Sequence, residues 1–97
     1  MVNSKQRAYL RALVNTYEPI IQIGKGSITP AVEASVSEAL EARELIKLRV
    51  LKNNDQDIRA LASALAQSVS ADLVRVIGRN FVLYRANSEK PVIELPK

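Results

Sequence analysis

Leu45-Ile46-Lys47-Leu48-Arg49-Val50-Leu51-Lys52 alternates in period two: Ile46, Leu48 and Val50 face one way, Lys47 and Arg49 the other. That pattern predicts a half-buried strand with a basic open face. The residues before it supply its partners. Thr29-Pro30 is a strong helix start, because the threonine oxygen can accept from an unpaired amide and proline at the first helical position loses no hydrogen bond. Val32, Val36, Ala39 and Leu40 then form one apolar stripe. Further back, the β-branched run Ile20-Ile21-Gln22-Ile23 is bounded by Pro19 and Gly24, as a short buried strand would be. Strand, helix and strand in succession cross over right-handedly into a parallel pair.

On the N-terminal side, Ser4 can cap a helix carrying Leu10, Leu13, Val14 and Tyr17 at helical spacing, and Glu18-Pro19 ends it. On the C-terminal side, Asn53-Asn54-Asp55 is turn and cap chemistry opening a third helix, with Ile58, Leu61, Ala62, Leu65, Ala66 and Val69 in register. Two strands, about Leu73 to Ile77 and Phe81 to Arg85, follow around the turn Gly78-Arg79-Asn80. Val92-Ile93-Glu94-Leu95 either adds an edge strand or docks on the body. The expected fold is therefore an α/β compact single domain of order α-β-α-β-α-β-β, a four-stranded mixed sheet with three helices. It spans residues 1–97, with a core of about 4–85 and a tail of 86–97.

Composition narrows the chemistry. With one Phe, three Tyr and no Trp, aliphatic side chains must fill the core. The chain has neither Cys nor His, which removes disulfides, the usual zinc sites, Cys–His and Ser–His–Asp nucleophiles, and the commonest proton shuttle near neutral pH. The expectation is a non-enzyme with no metal and no cofactor. The longest uninterrupted apolar stretch, Phe81-Val82-Leu83-Tyr84, is far short of a membrane span, and the expected location is cytoplasmic.

The formal charge of +4 fits a polyanion partner without demanding one, and its distribution says more. Residues 30–44 hold Glu33, Glu38, Glu41 and Glu44 against Arg43 alone, whereas 45–52 hold Lys47, Arg49 and Lys52 with no acid. Residues 73–88 carry Arg75, Arg79 and Arg85 without a carboxylate. One basic and one acidic side follow. The glutamates of the second helix spread over its solvent side and receive no chemistry.

Between the first strand and the second helix lies Gly24-Lys25-Gly26-Ser27. Glycines permit close approach of a ligand, the helix start offers free amides, and Lys25 adds a mobile cation, so a sugar-phosphate backbone would suit the loop. It has neither the spacing of a Walker A motif nor the third glycine of a dinucleotide fingerprint. The bland alternative is a tight strand-to-helix turn. For Lys47, Arg49, Lys52 and Arg75 it is a solvated strand face that discourages edge pairing, though with the basic first helix and the acid-free run 73–88 the same charges could line a continuous surface contacting phosphates. Tyr9, Tyr17, Phe81 and Tyr84 could stack on bases, but Tyr17 and Phe81 fall on apolar stripes and belong to the core.

Ser4-Lys5-Gln6-Arg7 with Leu10-Arg11, Gln22-Ile23-Gly24-Lys25-Gly26, Ala39-Leu40-Glu41 with Glu44-Leu45-Ile46-Lys47, Val74-Arg75-Val76-Ile77-Gly78-Arg79 and Val82-Leu83-Tyr84-Arg85 together resemble the YhbY family of bacterial proteins. That family is the stand-alone form of the CRM (chloroplast RNA splicing and ribosome maturation) domain. The resemblance runs from about Ser4 to Pro96. It implies an α/β fold like the C-terminal domain of bacterial translation initiation factor three, RNA binding without catalysis, and association with precursors of the large ribosomal subunit. It also implies that a G-x-x-G loop beside a basic surface contacts RNA. Carried over, the loop is Gly24 to Ser27, with Lys25 in a variable position and Ser27 where the last glycine belongs.

The leading expectation is a monomeric ribosome-assembly factor that binds structured ribosomal RNA through phosphate and 2′-hydroxyl contacts. Gly24, Lys25, Gly26 and Ser27 would seat the backbone, and Lys5, Arg7, Arg11, Lys47, Lys52, Arg75 and Arg79 would supply neutralising charge. The alternative is a protein-interaction module docking on an assembly factor or ribosomal protein through the acidic second helix or the open sheet.

Overall fold

The computed structural model describes residues 2–25, 28–87 and 89–96. Asn3, one residue earlier than expected, caps α1 (Ser4–Val14): its Oδ1 accepts from the Gln6 amide at 2.8 Å, and the Gln6 side chain accepts from the Asn3 amide at 3.1 Å. This reciprocal pair satisfies two of the amides that a helix start leaves open, which a serine at the first helical position cannot do. After β1 (Ile21–Ile23), Thr29 caps α2 (Pro30–Arg43) as its sequence requires, with Pro30 at the helix start.

β2 (Leu45–Val50) leads to α3 (Ile58–Ser68), whose cap is Asp57, accepting from the Ala60 amide at 2.9 Å. The Asn53-Asn54-Asp55 segment is instead a turn that precedes the cap, because Asn54 is engaged elsewhere. β3 (Asp72–Ile77) and β4 (Asn80–Tyr84) form the hairpin, with Gly78 at φ +57°, a conformation that costs other residues. Asn80, expected in the turn, already belongs to β4.

The sheet order is β1-β2-β4-β3, β1 parallel to β2 and the other pairs antiparallel. Three layers result. On one face α2 and α3 pack through Val36, Leu40, Leu61 and Leu65 against Ile46, Leu48, Phe81 and Leu83. On the other, α1 covers Leu45, Val74, Val82 and Tyr84 with Leu10 and Val14. Truncating a fully buried aliphatic such as Leu48 would cost about 2–5 kcal/mol. Phe81 is a core residue and Tyr17, half-buried, packs against the α1 core, as expected, and Tyr84 joins them.

Glu44 departs most from the sequence reading. It is not a solvent-side acid but fully buried, at φ +66°, where α2 ends and β2 begins. Its carboxylate accepts from the amides of Asn87 (2.6 Å), Val92 (2.8 Å) and Ile93 (2.6 Å). Burial pushes this carboxyl up, but the amides of Asn87, Ile93 and Val92 together outweigh it and hold the group below its ordinary value. Among its described residues the tail therefore adds no strand. It docks through Glu44, with Ile93 and Leu95 packed on the α1 core.

Candidate nucleic-acid interface

Because β1 and β2 run parallel, their C-terminal ends emerge together, and the Leu51 amide extends their ladder to the Ile23 carbonyl at 2.8 Å. The Gly24-Lys25 segment thus lies beside the Leu51–Asn54 turn. Asn54, only 4% exposed, binds the two: its Nδ2 donates to the Gly24 carbonyl at 3.0 Å and its Oδ1 accepts from the Gln56 amide at 2.9 Å. Arg79 reaches over from the hairpin turn. Its Nε donates to the Val50 carbonyl at 2.9 Å, and its Nη2 to those of Leu51 (2.6 Å) and Asn54 (2.9 Å). A planar guanidinium suits this task, since one rigid fork can satisfy several carbonyls left open where strands end. Arg79 holds the turn that holds Gly24, and its Nη1 makes no such bond.

Lys25 and Lys52 are exposed at this end and make no hydrogen bond or ion pair with a described residue. Gly24 lies outside the left-handed region, and a β-carbon added there would meet Leu51 Cδ1 at 3.7 Å and Asn53 Oδ1 at 3.8 Å, ordinary contact distances. The fold itself does not need glycine at position 24. Gly26 and Ser27, on which the rest of the expected loop depends, lie outside the described residues. Beyond them the start of α2 is partly satisfied already: Thr29 Oγ1 accepts from the Val32 amide, and Glu33 sits in the first turn.

From the loop end the basic face of the sheet runs towards α1, exposed along its first rung and covered by α1 from the second. Gln22, Arg49, Asn80 and Ile77 form one rung across all four strands, and Lys47, Val82 and Arg75 the next. Arg75 owes its place to a bulge between Leu73 and Arg75. Strict alternation would turn it towards the α2–α3 core, whereas the extra residue keeps Val74 and Arg75 both on the α1 face. The acid on the strands of this face, Asp72, lies at the far end beside Tyr84, whose hydroxyl burial and the charges of Glu44 and Asp72 push up.

The cations named from sequence fall into separate groups. Lys25, Lys52 and Arg79 converge at the loop end. Arg7, Arg11 and Arg75 meet between α1 and β3, around a cavity that Arg59 of α3 also lines. Arg7 donates through Nη1 to the carbonyls of Leu73 and Val74, so it also fastens α1 to β3. Lys47 sits on the opposite flank of α1, half-buried, its Nζ donating to the Tyr17 carbonyl at 3.3 Å near Glu18 and Arg43. Lys5 lies in the first turn of α1 and does not line the cavity between α1 and β3. Arg85, which the charge pattern put on the basic side, turns the other way: it donates to Val69 O and Ser37 O and pairs with Glu41 at 3.3 Å. The sequence does not single out Arg59, whose only signal is its place two residues after the α3 cap, and it offers Arg49 both as solvated strand face and as part of a phosphate-contacting surface.

A model of the CRS1 / YhbY (CRM) domain matches residues 2–85. The chain belongs to this family. Among its relatives, the Bacillus subtilis protein named "Probable RNA-binding protein YqeI" is 42% identical over 96 residues, covering 99% of this chain and 100% of that one. A Haemophilus influenzae protein named as an RNA-binding protein is 31% identical over 96 residues, covering 99% and 96%. The solution structure of a Staphylococcus aureus protein, described as a candidate RNA-binding protein, superposes with a TM-score of 0.83 at 45% identity, covering 99% and 100%. The α/β architecture is thus that of the family. Among the described residues no group of His, Cys, Asp or Glu could hold a metal ion, and no helix is long and apolar enough to cross a membrane.

Proposed function

We propose that this protein binds structured RNA, seating the sugar-phosphate backbone against the Gly24-Lys25 loop and the basic strip of sheet beside it, and that its target is RNA of large-subunit ribosomal precursors. The observation carrying this reading is the convergence of Gly24, Lys25, Lys52 and Arg79 at one end of the sheet, continued by Arg49 and Arg75 along a face whose acid lies at its far end. The names of the relatives favour RNA as the polyanion, and the resemblance to ribosome-maturation proteins favours ribosomal RNA. The strip carries no aromatic side chain between Lys47 and the loop, so it lacks the stacking platform of single-strand readers. Backbone shape and charge are what it can recognise. No catalytic step is proposed.

The test is binding of Lys25→Ala/Lys52→Ala to a fragment of large-subunit RNA at several salt concentrations. Affinity should fall, and the slope of log K against log salt should shrink by about one for each lysine removed, with an unchanged melting temperature. An unchanged slope would place these lysines outside the interface. Crosslinking in cells, followed by sequencing of the attached RNA, checks the target: large-subunit RNA should be recovered above background.

A further inference from the structure

The cavity between α1, α3 and β3 is lined by Arg7, Arg11, Arg59 and Arg75, with only Leu73, Val74 and Val76 besides. It measures about 320 Å³, and among the described residues no carboxylate lines it. Arg11, Arg59 and Arg75 make no hydrogen bond or ion pair with a described residue, while Arg7 is oriented by the carbonyls of Leu73 and Val74. The acid nearest Arg59 in sequence, Asp57, is turned into the α3 cap. Four cationic side chains lining one cavity repel one another, and the bulge that brings Arg75 to the α1 face adds to the repulsion. Such an arrangement is stabilised by an anion that supplies several acceptor oxygens at once.

We infer that this cavity binds the terminal phosphate of an RNA strand. The inference rests on the RNA-binding reading given above. An internal phosphodiester carries one charge and two free oxygens, whereas a phosphate monoester carries about −1.5 to −2 near neutral pH and offers three. Four guanidinium forks match the monoester better in both charge and acceptor number. The position agrees: β3 is the last strand of the sheet, three strand spacings, or roughly 14 Å, from β1 and the glycine loop. A strand crossing from the loop along the Gln22–Arg49–Asn80–Ile77 rung would reach β3 next to Val76, which lines this cavity.

The experiment compares RNA oligonucleotides of one sequence ending in 5′-phosphate, 3′-phosphate or hydroxyl, titrated against the full chain by fluorescence anisotropy. One phosphorylated end should bind on the order of tenfold more tightly than the hydroxyl end, the size of one charge-assisted hydrogen bond. Arg59→Gln/Arg75→Gln, or Arg59→Gln alone should the double variant melt early, should erase that advantage. Lys25→Ala/Lys52→Ala should weaken every oligonucleotide while preserving the ratio. Equal affinity for phosphorylated and hydroxyl ends overturns the inference and leaves RNA binding standing; absence of binding to any RNA overturns both. A rise in melting temperature with inorganic phosphate, without any preference for a phosphorylated end, assigns the cavity to a free anion and likewise overturns it.

Discussion

Removing the Glu44 carboxylate should undock the tail without unfolding the sheet. Three amides, those of Asn87, Val92 and Ile93, converge on its two oxygens at 2.6–2.8 Å in a fully buried site. A hydrogen bond to a charged group contributes about 1.5–3 kcal/mol, and three taken separately would exceed what a short tail can gain by docking. In Glu44→Ala the tail therefore peels away and rehydrates its amides, so the cost levels off at about 3 kcal/mol. Glu44→Gly loses the same contacts but relaxes the positive φ, which costs an ordinary residue about 1–2 kcal/mol, and should recover about 1 kcal/mol of the loss. The pH dependence has a definite sign. The folded carboxyl lies below its ordinary value, so its contribution is complete above that value and is lost as pH falls through the folded one. Wild type should lose stability on acidification across the lower carboxylate range, and Glu44→Gln should lose less. Urea unfolding measures the free energies, and amide exchange locates the change: Asn87, Val92 and Ile93 should lose protection while β4 keeps it. If Glu44→Ala stays within about 0.5 kcal/mol of wild type, or its tail amides remain protected, the latch described here is wrong.

Gly24→Ala should separate folding from function. An added methyl group meets only ordinary contacts and a compatible φ, so stability should hold or rise by about 0.4–1 kcal/mol through the unfolded chain, while RNA affinity falls; unchanged affinity would remove Gly24 from the interface. Arg79→Ala should destabilise the protein by about 2 kcal/mol and deprotect the Leu51–Asn54 turn in amide exchange. Arg79→Lys should rescue little, because an ammonium cannot bridge three carbonyls in a fixed plane.

The elements were legible where period and end signals agreed. Thr29-Pro30 fixed the start of α2, and the alternation of β2 fixed both its faces. What stayed hidden depends on partners far away in sequence. Asn3 and Asp57 outcompete Ser4 and Asn53-Asn54-Asp55 as caps because a cap is chosen by which side chain reaches the second or third amide, and Asn54 is drawn off to Gly24. Glu44 looked like one more helix-surface acid, since nothing local reveals that a tail more than forty residues later will place three amides against it. The bulge at Leu73/Arg75 leaves a period-two segment looking regular, yet it decides which face Arg75 occupies. Gly24 and Lys25 could be named from sequence, but the turn that positions them, and Arg79 as its fastening, needed the fold.

A formal charge of +4 understates the field at this surface, for a reason visible in how the acids are used. Asp57 is a helix cap and Glu44 a tail anchor at the end of the sheet away from the loop, so each keeps its charge but neither forms an ion pair with a described cation. Glu41 and Arg85 form an ion pair, and they lie against α2, away from the open sheet. Other arginines meet structural needs through neutral carbonyls: Arg79 at the strand ends and Arg7 at the α1–β3 seam keep their full charge while holding the backbone. A carbonyl orients a guanidinium without cancelling it. Cations that build the fold thus still contribute to the potential outside it, and Lys25, Arg49, Lys52, Arg11, Arg59 and Arg75 add theirs with no hydrogen bond or ion pair to a described residue. Gathered at the loop end and along the α1–β3 edge, that charge would draw a polyanion far more strongly than an evenly spread +4.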